Sequence, residues 1–183
     1  MEELEMALLE GEEKMDNSIA GYERELSTVR TGRASANLLD SIFIDYYGVQ
    51  TPIKQLSSIS IPEANQIYIK PYDKSSIKLI EGAIMASPLG LTPQSDSNGI
   101  RLILPKMTEE RRRELVKLVG KMEEQAKVHV RNIRRDLNEE IKKLELPEDD
   151  EKSSLEDVQK LTDSKIAKIE EITKKKNEDL MTI

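Results

Sequence analysis

The chain has 183 residues, with no cysteine, no tryptophan and one phenylalanine, and 34% of its residues are charged. This composition favours long solvated helices with narrow apolar seams over a thick aromatic core, and it excludes disulfides and thiolate metal sites. No apolar run approaches the ~20 residues of a membrane span, and the acidic start is unlike a signal peptide. We therefore expect a cytoplasmic protein without a membrane partner.

The net charge of −7 hides an uneven distribution. Between Arg111 and Arg135 there are nine Lys or Arg residues against three Glu, so the rest of the chain is strongly acidic. An acidic protein with one basic element can bind one face of an RNA and be repelled from polyanions elsewhere. The distribution therefore keeps an RNA partner open despite the net charge.

The first element is predicted to be a helix, because its apolar residues are spaced by threes and fours. Its stripe comprises Leu4, Leu8, Gly11, Met15, Ile19, Tyr22, Leu26 and Val29. Gly11 is expected to weaken this seam by ~1 kcal/mol relative to Ala.

The middle of the chain changes to a mixed pattern. We predict strands at 41–47, 59–61, 66–72 and 100–104, a helix at 74–86, and turns at 89–99. Gly48 is expected to end the first strand, and Pro62 the second. This block reads as a small β/α/β unit of roughly 70 residues.

Two further long helices are predicted after Pro105. Thr108 is the candidate N-cap of the second helix, and the segment 146–150 is expected to break it, so that Ser153 or Ser154 caps the third. The apolar seam of the second helix contains Leu115, Val119, Met122, Ala126, Val130, Ile133, Leu137, Ile141 and Leu144. That of the third contains Leu155, Val158, Thr162, Ile166, Ile169 and Leu180.

Three long amphipathic helices predict a three-helix bundle, so the fold class is α+β. The bundle is expected to comprise 1–30 and 106–183, with the β/α/β domain inserted at 31–105. Two chain crossings at one place would form a flexible joint; an ordinary helix end at each crossing is the alternative. The joint residues are predicted to be Arg30, Thr31, Gly32, Arg33, Leu104 and Pro105.

The sequence offers little material for catalysis. It has one histidine, His129, no cysteine and no phosphate-binding glycine motif, so triads and histidine metal sites are disfavoured. A structural role at the edge of the seam is expected for His129. An RNA-modifying enzyme is a disfavoured alternative.

The second long helix carries the candidate binding surface. At ~100° per residue, its cations fall in one sector beside and behind the seam, as a ridge ~40 Å long. The predicted RNA-binding residues are Arg113, Lys117, Lys127, Arg131, Arg134 and Arg135, with Lys142 in the same sector. A row of arginines suits phosphate contact. The alternatives are a solvated face paired with acidic neighbours, or a helical chaperone or exchange adaptor that binds a protein groove.

Several stretches, in order along almost the whole chain, resemble one known family. They are V-R-T-G-R-A-S at 29–35, L-L-D at 38–40, Y-Y-G at 46–48, T-P at 51–52, A-I-M-A-S at 83–87, L-G-L at 89–91, L-P at 104–105, T-E-E-R-R at 108–112, V-R-N-I-R-R-D at 130–136 and E-D-V-Q-K-L-T-D at 156–163. In this set the chain resembles the ribosome recycling factors. The link between Leu144 and Ser153 is a few residues shorter than is usual there.

The resemblance implies a function that the composition alone does not give. It implies an L-shaped, tRNA-like monomer that binds across the A and P sites of a 70S-type ribosome, mainly to large-subunit RNA. Elongation factor G, with its own GTP, would then drive separation of the subunits, so the chain would be no enzyme and need no cofactor. The family's RNA-contacting arginines map onto Arg131 and Arg134, and Arg30 and Arg33 lie in the matching stretch at the joint.

Overall fold

The computed structural model describes residues 2–182, and it divides into two compact units. One comprises residues 2–31 and 109–182, and the other comprises residues 32–108. The chain crosses between them at 31/32 and 108/109, whereas the sequence placed the crossings at 30/31 and 105/106.

The helices and strands follow one another as α1 (Glu2–Ser27), β1 (Phe43–Tyr46), β2 (Val49–Pro52), α2 (Ile53–Leu56), β3 (Ser57–Glu63), β4 (Gln66–Pro71), α3 (Ile77–Ala86), β5 (Pro93–Ser95), β6 (Ile100–Ile103), α4 (Glu109–Lys143) and α5 (Glu148–Met181). Short 3-10 turns precede β1 and α3, at Ala36–Leu39 and Lys74–Ser76. The α+β prediction is confirmed. Within residues 2–182, no helix is both long enough and apolar enough to cross a bilayer.

The first unit is a three-helix bundle in which α1, α4 and α5 each contact the other two. The predicted seams of α1 and α4 supply most of its core, which contains Leu4, Met15, Ile19, Tyr22, Leu26, Leu115, Val119, Ala126, Val130, Leu137 and Ile141. Ile133 of α4 and Leu155 and Ile166 of α5 are only half-buried. Val29 is buried but lies beyond the end of α1.

The third helix begins earlier than predicted. Helix α5 starts at Glu148, directly after Pro147, and four acidic residues fill its first turn. Proline is tolerated at a helix start, where its missing N–H costs nothing, and acidic side chains there favour the helix dipole. Ser154 is therefore not a cap: it is buried within α5, and its hydroxyl donates to the carbonyl oxygen of Asp150 at 2.7 Å.

Buried hydroxyl groups in the bundle core form hydrogen bonds. The hydroxyls of Thr162 and Thr173 donate to the carbonyls of Val158 and Ile169, one turn earlier on α5, at 2.7 and 2.9 Å. Because the Thr173 proton is used in this bond, the Tyr22 hydroxyl is the donor in its 2.5 Å hydrogen bond to Thr173 Oγ1. Burial raises the pKa of Tyr22. The pair ties α1 to α5 inside an otherwise apolar seam.

The second unit contains a four-stranded antiparallel sheet of order β3-β4-β6-β5 and a separate β1–β2 hairpin. One face of the central strands is apolar: Ile67 pairs with Leu102, and Ile69 with Ile100. Helix α3 contributes Ile80 and Ile84 to the same core. This alternation of buried and exposed residues follows from the period of two in a strand.

The sequence prediction missed two strands of this unit and misplaced the end of a third. Strand β2 follows Gly48, and β5 lies inside the segment predicted to be turns. Strand β3 continues through Pro62 to Glu63, with a shift in its pairing to β4 between Ser60 and Glu63. Because β3 is an edge strand, a proline there interrupts no ladder on its outer side.

Candidate nucleic-acid interface

Helix α4 separates apolar and charged residues onto opposite sides. Its buried residues recur by threes and fours and face α1 and α5. Glu109 and Glu110 lie in its first turn and Lys142 and Lys143 in its last turn, which suits the helix dipole at each end. The side of α4 turned away from the bundle is therefore the candidate binding surface.

Four of the cations predicted to lie in this sector have no acidic partner among residues 2–182. Lys117, Arg131, Arg135 and Lys142 are exposed, and none forms an ion pair or side-chain hydrogen bond within the described part of the chain. Arg113 is also exposed, but its Nη2 lies 2.6 Å from Glu109 Oε1 one turn earlier. Because both side chains of that pair are about 70% exposed, water competes strongly with it and the pair adds little stability.

Lys127 does not share this outward position. Its side chain is 12% exposed, and its Nζ lies 3.0 Å from Glu123 Oε1 and 2.9 Å from Glu170 Oε1 of α5. Hydrogen bonding to Glu170 raises the pKa of Lys127, although burial opposes the shift. Two carboxylates thus compensate its charge inside the α4–α5 groove, and its evident role is to hold these helices together.

Arg134 lies in the same groove, but its partner there is not an acidic residue. Its Nη1 donates to Gln159 Oε1 of α5 at 3.0 Å, and its Nε is buried without a hydrogen-bond partner in residues 2–182. Gln159 is neutral, and no carboxylate forms an ion pair with Arg134. Sequence reasoning found Arg134 but missed Gln159, which an i,i+4 amide–carboxylate pair with Asp163 could have indicated.

Between Lys117 and Arg131, at ~100° per residue, the outward sector of α4 presents Lys121, Glu124 and the half-exposed Val128. Lys117 and Arg131 are ~20 Å apart at ~1.5 Å per residue. Arg131, Arg134 and Arg135 lie close together near the C-terminal end of α4, and none of them forms an ion pair within residues 2–182. We call these three arginines and Lys142 the arginine patch.

Comparison with known proteins agrees with the fold and with the sequence motifs around this patch. A sequence profile described as ribosome recycling factor matches residues 22–181. The chain belongs to the ribosome recycling factor family. The ribosome-recycling factor of Acholeplasma laidlawii is 58% identical over 182 residues, covering 100% of this chain and 99% of the relative. That of Bacillus subtilis is 54% identical over 180 residues, covering 96% and 97%.

Solved structures of the ribosome recycling factor family share the whole fold. A solution structure of a ribosome recycling factor has a TM-score of 0.82 and 44% sequence identity, and each chain is covered completely. A second match has a TM-score of 0.67 and 34% identity, covering 97% of this chain and 98% of the other. It comes from models of the T. thermophilus ribosome recycling factor and E. coli elongation factor G bound to the E. coli post-termination complex. The predicted family is confirmed.

The predicted joint residues of this ribosome recycling factor fold lie in irregular backbone. Thr31, Gly32, Arg33 and the segment 104–108 belong to no helix or strand. Within the α/β unit, the N–H of Ala34 donates to the carbonyl of Ala64 at 2.7 Å, and the N–H of Leu104 donates to the carbonyl of Asn65 at 2.8 Å. Both chain segments are therefore anchored on one turn between β3 and β4.

Gly32 adopts φ +76°, which explains a glycine in this stretch of the family motif. The atoms nearest to an added Cβ would be Met107 Cε at 3.6 Å, the Pro105 carbonyl oxygen at 3.9 Å and Met107 Cγ at 4.0 Å. The requirement for glycine is therefore the backbone conformation rather than space. Proline, with φ fixed near −65°, would distort this position instead of stiffening it.

His129 is exposed on α4, so it does not fill the structural position at the edge of the seam that the sequence suggested. Within residues 2–182, no group of three or more His, Asp or Glu side chains is placed to hold a metal ion. Arg30 and Arg33 are exposed. The arginine patch on α4 remains the best-defined candidate interface.

Proposed function

We propose that this chain binds the post-termination ribosome, mainly through large-subunit RNA, and promotes its dissociation into subunits together with elongation factor G and GTP. Membership of the ribosome recycling factor family supports the first part, and the related factor bound with elongation factor G to a post-termination complex supports the choice of partner. We also propose that the protein acts as a monomer in the cytoplasm.

The observation that carries the RNA contact is the uncompensated charge of the arginine patch. Arg131 and Arg135 are exposed and lie about one turn apart on α4, with no acidic partner among residues 2–182. Guanidinium groups bind phosphate oxygens through two parallel hydrogen bonds. A straight row of such groups fits the backbone of a folded RNA better than its base edges, since side chains cannot read the deep major groove of an RNA helix.

In this proposal the chain performs no covalent chemistry and requires no cofactor. Nucleotide hydrolysis belongs to elongation factor G, and the contribution of this protein is binding and force transmission. The single histidine and the absence of cysteine support that division of labour, because nucleophilic and histidine-based mechanisms have almost no side chains to use.

The RNA contact is tested by co-sedimentation with vacant ribosomes. Replacing Arg131 and Arg135 together by Ala is expected to weaken binding at least about tenfold, because two phosphate contacts are lost. The slope of log affinity against log salt should also become shallower by about two, since two fewer counterions are released. Circular dichroism should show an unchanged helix content, because both side chains are exposed.

The matched control removes two charges elsewhere on the bundle. Lys168 and Lys174 of α5 are exposed and have no ion-pair partner in the described residues, so the Lys168→Ala/Lys174→Ala variant has the same net charge as the arginine variant. It should bind ribosomes almost as the original chain does. Equal losses of binding in both variants would mean that the arginine patch acts only through the overall charge of the protein. If the original chain does not bind ribosomes, the alternative of a helical adaptor is favoured.

We further propose that recycling requires the two units to move about the crossings. Lys106 is exposed in the irregular segment after Pro105, and within residues 2–182 its backbone N–H donates no hydrogen bond. Lys106→Pro would create two consecutive prolines, which favour a stiff extended conformation. We expect ribosome binding to persist while the rate of subunit splitting with elongation factor G and GTP falls severalfold.

The control for this stiffening is Lys106→Ala, which removes the same charge and leaves the backbone free. Its splitting rate should match that of the original chain. Light scattering of ribosomes after rapid mixing measures the rate directly. If Lys106→Pro splits ribosomes at the full rate, motion at this crossing is not needed.

A further inference from the structure

A hydrogen-bonded series of three side chains connects α5 to the arginine patch. Gln159 Nε2 donates to Asp163 Oδ1, one turn later on α5, at 2.8 Å. Gln159 Oε1 accepts from Arg134 Nη1 of α4 at 3.0 Å. Carboxylate, amide and guanidinium therefore follow one another across the groove.

The order of these groups fixes the orientation of the amide. An ionised carboxylate only accepts hydrogen bonds, so Asp163 must face the NH2 end of Gln159. The carbonyl end is then left for Arg134, which can only donate. Without Asp163 the two ends of the amide could exchange, and the NH2 group would repel the guanidinium.

Gln159 holds Arg134 without compensating its charge. Lys127 lies in the same groove about two turns earlier, and there two carboxylates surround the ammonium at 2.9 and 3.0 Å. At Arg134 the corresponding position on α5 carries a neutral amide. The groove thus neutralises Lys127 and only orients Arg134.

Part of the Arg134 guanidinium remains available to a ligand. Its Nε is buried and its Nη1 bonds to Gln159, whereas its Nη2 is not among the buried unpartnered atoms and forms no hydrogen bond within residues 2–182. The hydrogen bond to Gln159 fixes the plane of the group, so that Nη2 has a defined direction. A pre-oriented donor loses less entropy when it binds a phosphate.

We propose that Gln159, oriented by Asp163, is a positioning residue that holds the charged guanidinium of Arg134 ready for a ribosomal RNA phosphate. This inference rests on the proposed function, since it assumes that Arg134 contacts RNA. It assigns a role in that contact to the Q-K-L-T-D part of the 156–163 motif, which lies on a different helix from the arginines.

The test is a double-mutant cycle measured by ribosome binding over a range of salt concentrations. Gln159→Ala is expected to weaken binding about three- to tenfold, as for loss of one positioning hydrogen bond. Gln159→Glu should weaken it further and make the salt slope shallower by about one, because the introduced carboxylate neutralises Arg134. In an Arg134→Ala background neither substitution should change affinity or slope.

Two controls separate this role from a purely structural one. Gln125→Glu introduces the same charge at an exposed position of α4, and it should leave the salt slope nearly unchanged. Thermal unfolding of every variant should show that binding is measured far below the transition, because a loss of folded protein would lower occupancy without changing the slope.

The outcomes distinguish this inference from the function on which it rests. If Arg134→Ala binds ribosomes normally, the RNA contact by Arg134 is wrong and the positioning role falls with it. If Arg134→Ala weakens binding but the Gln159 variants have the same effects in both backgrounds, only the positioning role is overturned. Loss of both Gln159 effects in the Arg134→Ala background would support it.

Discussion

Gly99→Ala is expected to destabilise the α/β unit by about 3 kcal/mol, at the upper end of the cost of overpacking a core. A Cβ at this position would lie 2.5 Å from the carbonyl oxygen of Ile69 and 2.8 Å from Cζ and the hydroxyl oxygen of Tyr68. Ile69 belongs to central strand β4, which is paired on both sides. Its backbone therefore cannot withdraw without breaking pairs to β3 or β6.

The matched control for this substitution is Gly82→Ala, at an exposed position of helix α3. No heavy atom lies within 4 Å of an added Cβ there, so the change should be neutral or stabilising by up to about 1 kcal/mol through helix propensity. Four of the five tyrosines lie in the α/β unit, so denaturation followed by near-ultraviolet circular dichroism reports mainly on this unit. Equal midpoints for the two variants would contradict the close approach at Gly99.

The long helices were predictable because the spacing of apolar residues along the sequence shows which side of each helix is buried. Apolar residues at threes and fours give a stripe whatever the partner helix is, and the predicted residues of α1 and α4 are largely those found in the core. Strands β2 and β5 were missed because Val49–Pro52 has only 4 residues and Pro93–Ser95 only 3, and each contains a proline. These two segments form strands because they pair with neighbouring strands, and no pattern within the segments themselves predicts that pairing.

Prediction of the candidate surface from the sequence was limited in the same way, because the roles of single residues depend on distant parts of the chain. A helical projection groups the cations of α4 by angle, but it cannot say which of them face another helix. Lys127 meets Glu170 and Arg134 meets Gln159, and both partners lie on α5, far along the chain. These contacts depend on how α4 and α5 pack, so the division into structural and available cations required the tertiary structure.

The structure reverses the effect that the sequence predicts for replacing Gly11. Taken alone, a glycine inside α1 costs about 1 kcal/mol relative to Ala, so Gly11→Ala would be expected to stabilise the bundle. In the structure an added Cβ would lie 2.5 Å from Leu137 Cδ2 of α4. Leu137 is 3% exposed and packs with Leu4, Ala7 and Ile141. These neighbours restrict its movement, so the glycine is a contact point between two helices.

We therefore expect Gly11→Ala to destabilise the bundle by about 1–2 kcal/mol, as the overpacking cost exceeds the gain in helix propensity. Gly120→Ala on α4 is the matched control, because no heavy atom lies within 4 Å of its added Cβ. That variant should stabilise the bundle by up to about 1 kcal/mol. Denaturant unfolding followed at 222 nm measures both.

The cause of the Gly11 effect can be isolated with a second substitution. Leu137→Ala alone should be destabilising, since it leaves a cavity in the core, typically at a cost of about 2–5 kcal/mol. In that background the methyl group of Gly11→Ala enters space vacated by the leucine, so its effect should change sign and become stabilising. Such a change of sign is expected when the two positions contact each other, and not when they are distant and independent. If Gly11→Ala is equally destabilising in both backgrounds, its cost comes from α1 itself and the helix contact is not the reason for glycine.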